Sequence, residues 1–129
     1  MTEPKNFYRI VELICEADRR YKPDAYEFVV QALHFTQKRL GRTGHIMGLE
    51  LLDGIRAFAI DQYGPMAKTV LNHWGITATD DFGAIVFIMI EHKILSKTDE
   101  DSVSDFKGAY DFDAAFGNVL RDCVIQDQE

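Results

Sequence analysis

Nine consecutive residues, Phe82 to Ile90, read FGAIVFIMI and carry no charge, amide or hydroxyl. A stretch this apolar must be shielded from water, and it is far short of the roughly twenty residues that cross a bilayer. It therefore demands a protein core. Thr79 stands before it as an N-cap candidate, and Asp80 and Asp81 suit the positive end of a helix dipole. The expectation is a helix over about Asp80 to Lys93, central and buried, with Phe87 and Ile88 both covered although they point to different faces. Four of the seven residues from Ala84 to Ile90 are Ile or Val, so a buried strand has the same local pattern. The Thr-Asp-Asp start and the total length favour helix.

The segments around this core element are also helical in period. Phe7, Ile10, Ile14, Ala17 and Tyr21 recur at spacings of three and four, predicting helix over Asn6 to Tyr21, with Val11 and Leu13 widening the face and Pro23 ending it. Asp24 as N-cap, with Glu27 three residues on, predicts a second helix over Ala25 to Leu40. Its apolar face is Tyr26, Val29, Leu33 and Leu40, and Gly41 follows as the stop. A third helix is expected over Leu49 to Tyr63 and a short fourth over Pro65 to Trp74, divided by Gly64-Pro65 and closed by Gly75. Tyr110 and Phe112 alternate with Asp111 and Asp113, a hint of a short strand. Phe112, Phe116, Val119 and Cys123 then suit a C-terminal helix. No repeat or linker divides the 129 residues. The expected fold is mainly α: a single helical domain over residues 1–129, of five to six helices, with at most a small β-hairpin near residues 95–112.

Charge narrows the choice of partner. Residues 1–42 hold eight bases and six acids, whereas residues 43–129 hold six bases and fifteen acids, for a net charge of −7. The bulk field repels phosphate backbones. The uneven distribution suits attraction between a basic and an acidic surface, within a chain or between copies, and also suits an ordinary solvated exterior. Cys15 and Cys123 form no CxxC, so neither a redox dithiol nor a zinc knuckle is expected. The opening MTEPKNFYRI shows no basic and apolar leader pattern, which leads to an expected cytoplasmic location with reduced thiols and no membrane segment.

Chemistry-bearing patterns are sparse. His34, His45, His73 and His92 make no HxxxH or HExxH. The acids Asp99, Glu100, Asp101, Asp105, Asp111 and Asp113 do not satisfy the EF-hand spacing, because the sixth position from Asp99 is Ser104 and the twelfth is Tyr110. No metal site and no cofactor is expected. GxSxG, P-loop and GxGxxG motifs are absent, and no set of acid, base and nucleophile converges. The loop Gly41 to Gly48 places Arg42 and His45 before a helix start, where backbone N–H groups can hold an anion. Arg42, His45 and Trp74 are the candidate ligand-binding residues.

Helices three, four and five, followed by an acidic loop and a hint of strand, have a winged-helix-like order, with Gly75 in the turn of a helix-turn-helix. Reading DNA requires Arg, Lys, Asn or Gln on the recognition helix. Here that helix offers Asp80, Asp81 and hydrocarbon, and the wing would carry Asp99, Glu100 and Asp101. A nucleic-acid regulator is therefore the weakest of three readings. An anion or small-molecule binder, or an enzyme, using Arg42 and His45 is the second. A non-enzymatic module that binds a protein partner or itself leads.

The stretches GLELLDGIRAFA (Gly48 to Ala59), QYGPMAKTVLNHWGI (Gln62 to Ile76), DFGAIVF (Asp81 to Phe87), LSKTDEDS (Leu95 to Ser102) and DFKGAYDFDAAF (Asp105 to Phe116), together with YEFVVQALHFTQ (Tyr26 to Gln37), carry a resemblance that spans most of the chain. It resembles a family of small bacterial proteins first defined in planctomycetes and verrucomicrobia, a domain of unknown function. The resemblance implies a bacterial origin. It brings no activity, cofactor or site residue with it.

Overall fold

Pro23 opens a helix rather than closing one. In the computed structural model, which describes residues 6–41, 46–95, 106 and 108–116, α1 spans Asn6–Ala17 and α2 spans Pro23–Leu40. Lys22 is extended (φ −79°, ψ 158°) and serves as N-cap, with Pro23 in the first turn. A proline there loses nothing, because the first helical N–H groups have no intrahelical acceptor. Asp24 thus lies inside the first turn and is not the cap. The first helix stops at Ala17, four residues short of the expected Tyr21, and Arg20, beyond its end, folds back on Asp18 with its Nη2 2.7 Å from Oδ2.

The next helix, α3, spans Gly48–Tyr63. Its start is fixed by the Glu50 carboxylate, which accepts the Met47 N–H at 2.9 Å. Gly64-Pro65 forms a 3-10 turn over Gly64–Met66, so α4 is shorter than expected, Ala67–His73. Gly75 has φ +97°, and a Cβ there would run into the Arg20 carbonyl. Lys22 N–H donates to the Trp74 carbonyl at 3.1 Å in the same place. The α1–α2 connection and the α4–α5 connection are thereby locked together.

Helix α5 spans Thr79–Glu91 and α6 spans Phe112–Phe116. Ala78, extended at φ −152°, is the cap position of α5. Asp81 closes that end, accepting from Thr77 N–H at 2.9 Å and Ala78 N–H at 3.2 Å. Thr79 is therefore not the N-cap. Its buried hydroxyl donates to the Phe106 carbonyl at 2.6 Å and accepts from Ala109 N–H at 3.0 Å. The strand suggested at Tyr110–Phe112 is a turn into α6, where Asp111 Oδ2 accepts from Ala114 N–H at 3.0 Å. Among the described residues there are six α-helices and no strand. Most of the expected hairpin near residues 95–112, along with Val119 and Cys123, lies outside them.

One core joins the helices. Phe7, Val11 and Ile14 enter from α1, Leu52 and Ile55 from α3, Leu71 from α4, and Phe82, Ile85 and Met89 from α5. The centre is α2, which packs on α1, α3 and α5 and buries Tyr26, Phe28, Val29, Val30 and Ala32. The expectation that α5 is covered all round is overturned. Ile88 is 8% exposed, but Phe87 is 47% exposed on the outer face shared with Asp80, Ala84 and Glu91. Leu13 and Leu40, read as core-facing, are also exposed.

Candidate functional site

Of the three residues singled out for ligand binding, Trp74 is described, and Arg42 and His45 lie outside the described residues. Trp74 is a buried member of an aromatic group. Its ring centroid stands 5.5 Å from that of Phe28 and 5.9 Å from that of Tyr63. Such contacts build a core wall, and no described contact aims Trp74 at the Gly41–Gly48 loop.

The other candidates are dispersed. His34 and His73 are exposed on α2 and α4, and His92 is exposed just past the end of α5. Among the described residues no three His, Cys, Asp or Glu side chains group to hold a metal ion. Cys15 is half-buried, and its thiol lies 3.6 Å from the Tyr21 carbonyl. Burial, reinforced by Asp18, pushes its pKa up, which keeps it as a thiol and a poor nucleophile. No described helix is long and apolar enough to cross a membrane.

Two polar constructions stand out, and sequence reasoning missed both. The first is the Tyr21–Asp81 clamp. Tyr21 donates its phenol proton to Asp81 Oδ1 at 2.6 Å, while Oδ2 holds Thr77 and Ala78. Burial first, and the carboxylate second, push the Tyr21 pKa well above the usual phenol range. Every part of the clamp is paired, which marks it as a structural joint. The second is a cleft of about 480 Å³ between α4, the Thr77–Ala78 turn and the loop entering α6, lined by Lys68, Asn72, Thr77, Ala78, Tyr110 and Asp111. Tyr110 is committed across the interior, since its hydroxyl donates to the Leu52 carbonyl at 3.0 Å.

The surface has a different character where α2 ends and α3 begins. Leu40, Met47 and Leu49 are exposed there, Leu49 by 58%. The two helix ends are neighbours, because Arg39 Nη2 lies 3.8 Å from Asp53 Oδ2, one turn along α3 from Leu49. Three large apolar side chains are thus exposed near one end of the helix pair, and clustered apolar exposure is what marks interaction sites. Leu40 and Leu49 read locally as ordinary members of amphipathic faces. Only the way α2 and α3 pack leaves them uncovered.

The α5 helix, in the position of a recognition helix, presents Asp80, Phe87 and Glu91 to solvent, with Ala84 half-buried between them. None of these donates to a base edge. Compared with family models, with curated proteins and with solved structures, the chain has no match.

Proposed function

We propose that this chain is a non-enzymatic protein-interaction module of a bacterial cytoplasm, a member of the planctomycete and verrucomicrobial family that its segments between Tyr26 and Phe116 resemble. The observation that carries the reading is the exposed patch Leu40, Met47 and Leu49 beside the Arg39–Asp53 pair. Apolar centres rimmed by charge are the anatomy of protein interfaces. The buried Trp74, the raised Cys15 thiol and the fully paired Asp81 are used in the fold, and none is poised for catalysis.

The test compares the wild-type chain with Leu40→Lys/Met47→Lys/Leu49→Lys. Each is immobilised and exposed to lysate of the source bacterium, and each is examined alone for self-association. The wild type is expected to retain a defined protein, or a second copy of itself, that the triple variant loses. Identical retention by both, together with identical solution mass, would overturn the reading.

The small-molecule reading has one specific observation in its favour, the cleft beside Lys68, Asn72 and Asp111. Its polar walls suit a small polar ligand better than an apolar one. A metabolite-library thermal-shift screen, repeated with Asn72→Leu, separates it from the interaction reading. A ligand-induced rise lost in that variant would favour the cleft.

A further inference from the structure

Along the outer face of α3, Leu49, Asp53 and Arg56 are exposed and Ile60 is half-buried. The spacings are four, three and four, the seam of two helices packed side by side. The chemical order is apolar, acid, base, apolar. Both spacing and order are self-complementary on reversal. If a second α3 lies antiparallel across the first, with a two-fold axis between Asp53 and Arg56, each Leu49 meets an Ile60 and each Asp53 meets an Arg56. The exposed Met47 then falls opposite Gln62.

Resting on the interaction reading above, we infer that the partner is a second copy of this chain, docked through α3 in an antiparallel, two-fold pair. A two-fold interface needs only one patch, provided the patch complements itself. The α3 face meets that condition in both hydrophobicity and charge. The surrounding structure keeps the stripe in place: α2 flanks it through the Arg39–Asp53 contact, and Tyr110 flanks it through its bond to the Leu52 carbonyl. The Arg39–Asp53 pair is long, at 3.8 Å, and both side chains are largely exposed. A pair of this kind is weak, so Asp53 can turn to Arg56 of the partner subunit at little cost. The patch at the α2–α3 end continues the same surface through Leu49.

The seam is short. A helix of sixteen residues is about 24 Å long, so the pair is expected to be reversible and concentration-dependent.

The test is charge complementation followed by sedimentation velocity over a concentration series. Asp53→Arg places like charges across the axis, and so does Arg56→Asp. Each alone is expected to weaken self-association roughly tenfold or more, from two lost pairs and two new repulsions. An equimolar mixture of the two variants restores opposite charges at both positions, and association should return. The double variant Asp53→Arg/Arg56→Asp should also associate like the wild type. Both sites are on the surface, so circular dichroism should show unchanged helix content. A mixture no tighter than either variant alone would overturn the α3 pairing. A wild-type chain that stays monomeric throughout would overturn it too. Should that monomer still retain a foreign protein that the Leu40→Lys/Met47→Lys/Leu49→Lys chain loses, self-pairing has failed while the broader interaction reading survives.

Discussion

Gly54 on α3 lies directly against the side chain of Thr36 on α2: a Cβ at position 54 would stand 2.8 Å from the Thr36 Cβ and closer still to its hydroxyl. Thr36 is buried and cannot swing aside freely, because its hydroxyl donates to the Ala32 carbonyl at 2.7 Å. The absent side chain is what lets the two helices approach. Gly54→Ala should cost about 1–3 kcal/mol, the usual penalty of overpacking a fitted contact. Urea unfolding measures it. Thr36→Ala in the same chain should recover part of the loss, a coupling that a double-mutant cycle resolves. Full additivity of the two changes would show that the contact is not the cause.

Phe87 and Ile88 are adjacent on α5 and should behave in opposite ways. Ile88→Ala removes buried hydrocarbon and should cost about 2–5 kcal/mol. Phe87→Ser alters an exposed position and should stay within about 0.5 kcal/mol of wild type. Equal, large losses for both in urea would mean that Phe87 is covered in solution.

Two neighbouring tyrosines make a second contrast. Tyr21 donates to Asp81, whereas the buried Tyr26 hydroxyl has no hydrogen-bond partner among the described residues. Hydrogen bonds to a charged group contribute about 1.5–3 kcal/mol, so Tyr21→Phe should cost that much. Tyr26→Phe removes an unpaired buried polar atom and should be neutral or stabilising. A loss at Tyr26 as large as at Tyr21 would reveal a partner for its hydroxyl.

The same residues set the alkaline limit of the fold. Burial first, then the nearby Cys15 and Asp18, raises the Tyr26 pKa from 10.0 to about 12. Tyr21 and Tyr110 are raised further, chiefly by burial. A phenol raised in the folded state favours the fold while it is protonated in both states. As pH climbs past 10.0 the unfolded chain ionises first, and stability falls until the folded pKa is passed. Melting temperature should therefore drop above about pH 10. Tyr26→Phe should make that drop shallower. An unchanged alkaline slope in Tyr26→Phe would rule this residue out as a contributor.

Thr79 joins α5 to the loop before α6 by two hydrogen bonds. Thr79→Val keeps the shape and removes both, leaving the Phe106 carbonyl and the Ala109 N–H without that partner. The expected cost is about 1–3 kcal/mol, accompanied by faster hydrogen exchange at Ala109. Unchanged exchange there would show that the loop is held by something else.

What the amino-acid order determined by itself was the mainly helical class and the order of its longer helices. Periods of three and four set α1, α2 and α3, and Gly64-Pro65, Gly75 and Gly41 punctuate them, because these signals act over a few residues of backbone. Local chemistry was ambiguous where one residue could serve two roles. Pro23 suits the end of one helix as well as the first turn of the next, and Thr79 suits a cap as well as an interior hydroxyl. Tertiary structure decided both, by placing Lys22 under the Trp74 carbonyl and bringing Phe106 over Thr79. It also decided which apolar residues stay wet. Phe87, Leu40 and Leu49 are as hydrophobic as the residues beside them. They are exposed because α2 took the centre of the core, and the docking of α3 and α5 on it left those faces without a neighbour among the described residues. The candidate interaction surface was hidden for that reason: a sequence gives each side chain's preference for burial, and only the packing of whole helices decides which preferences go unmet.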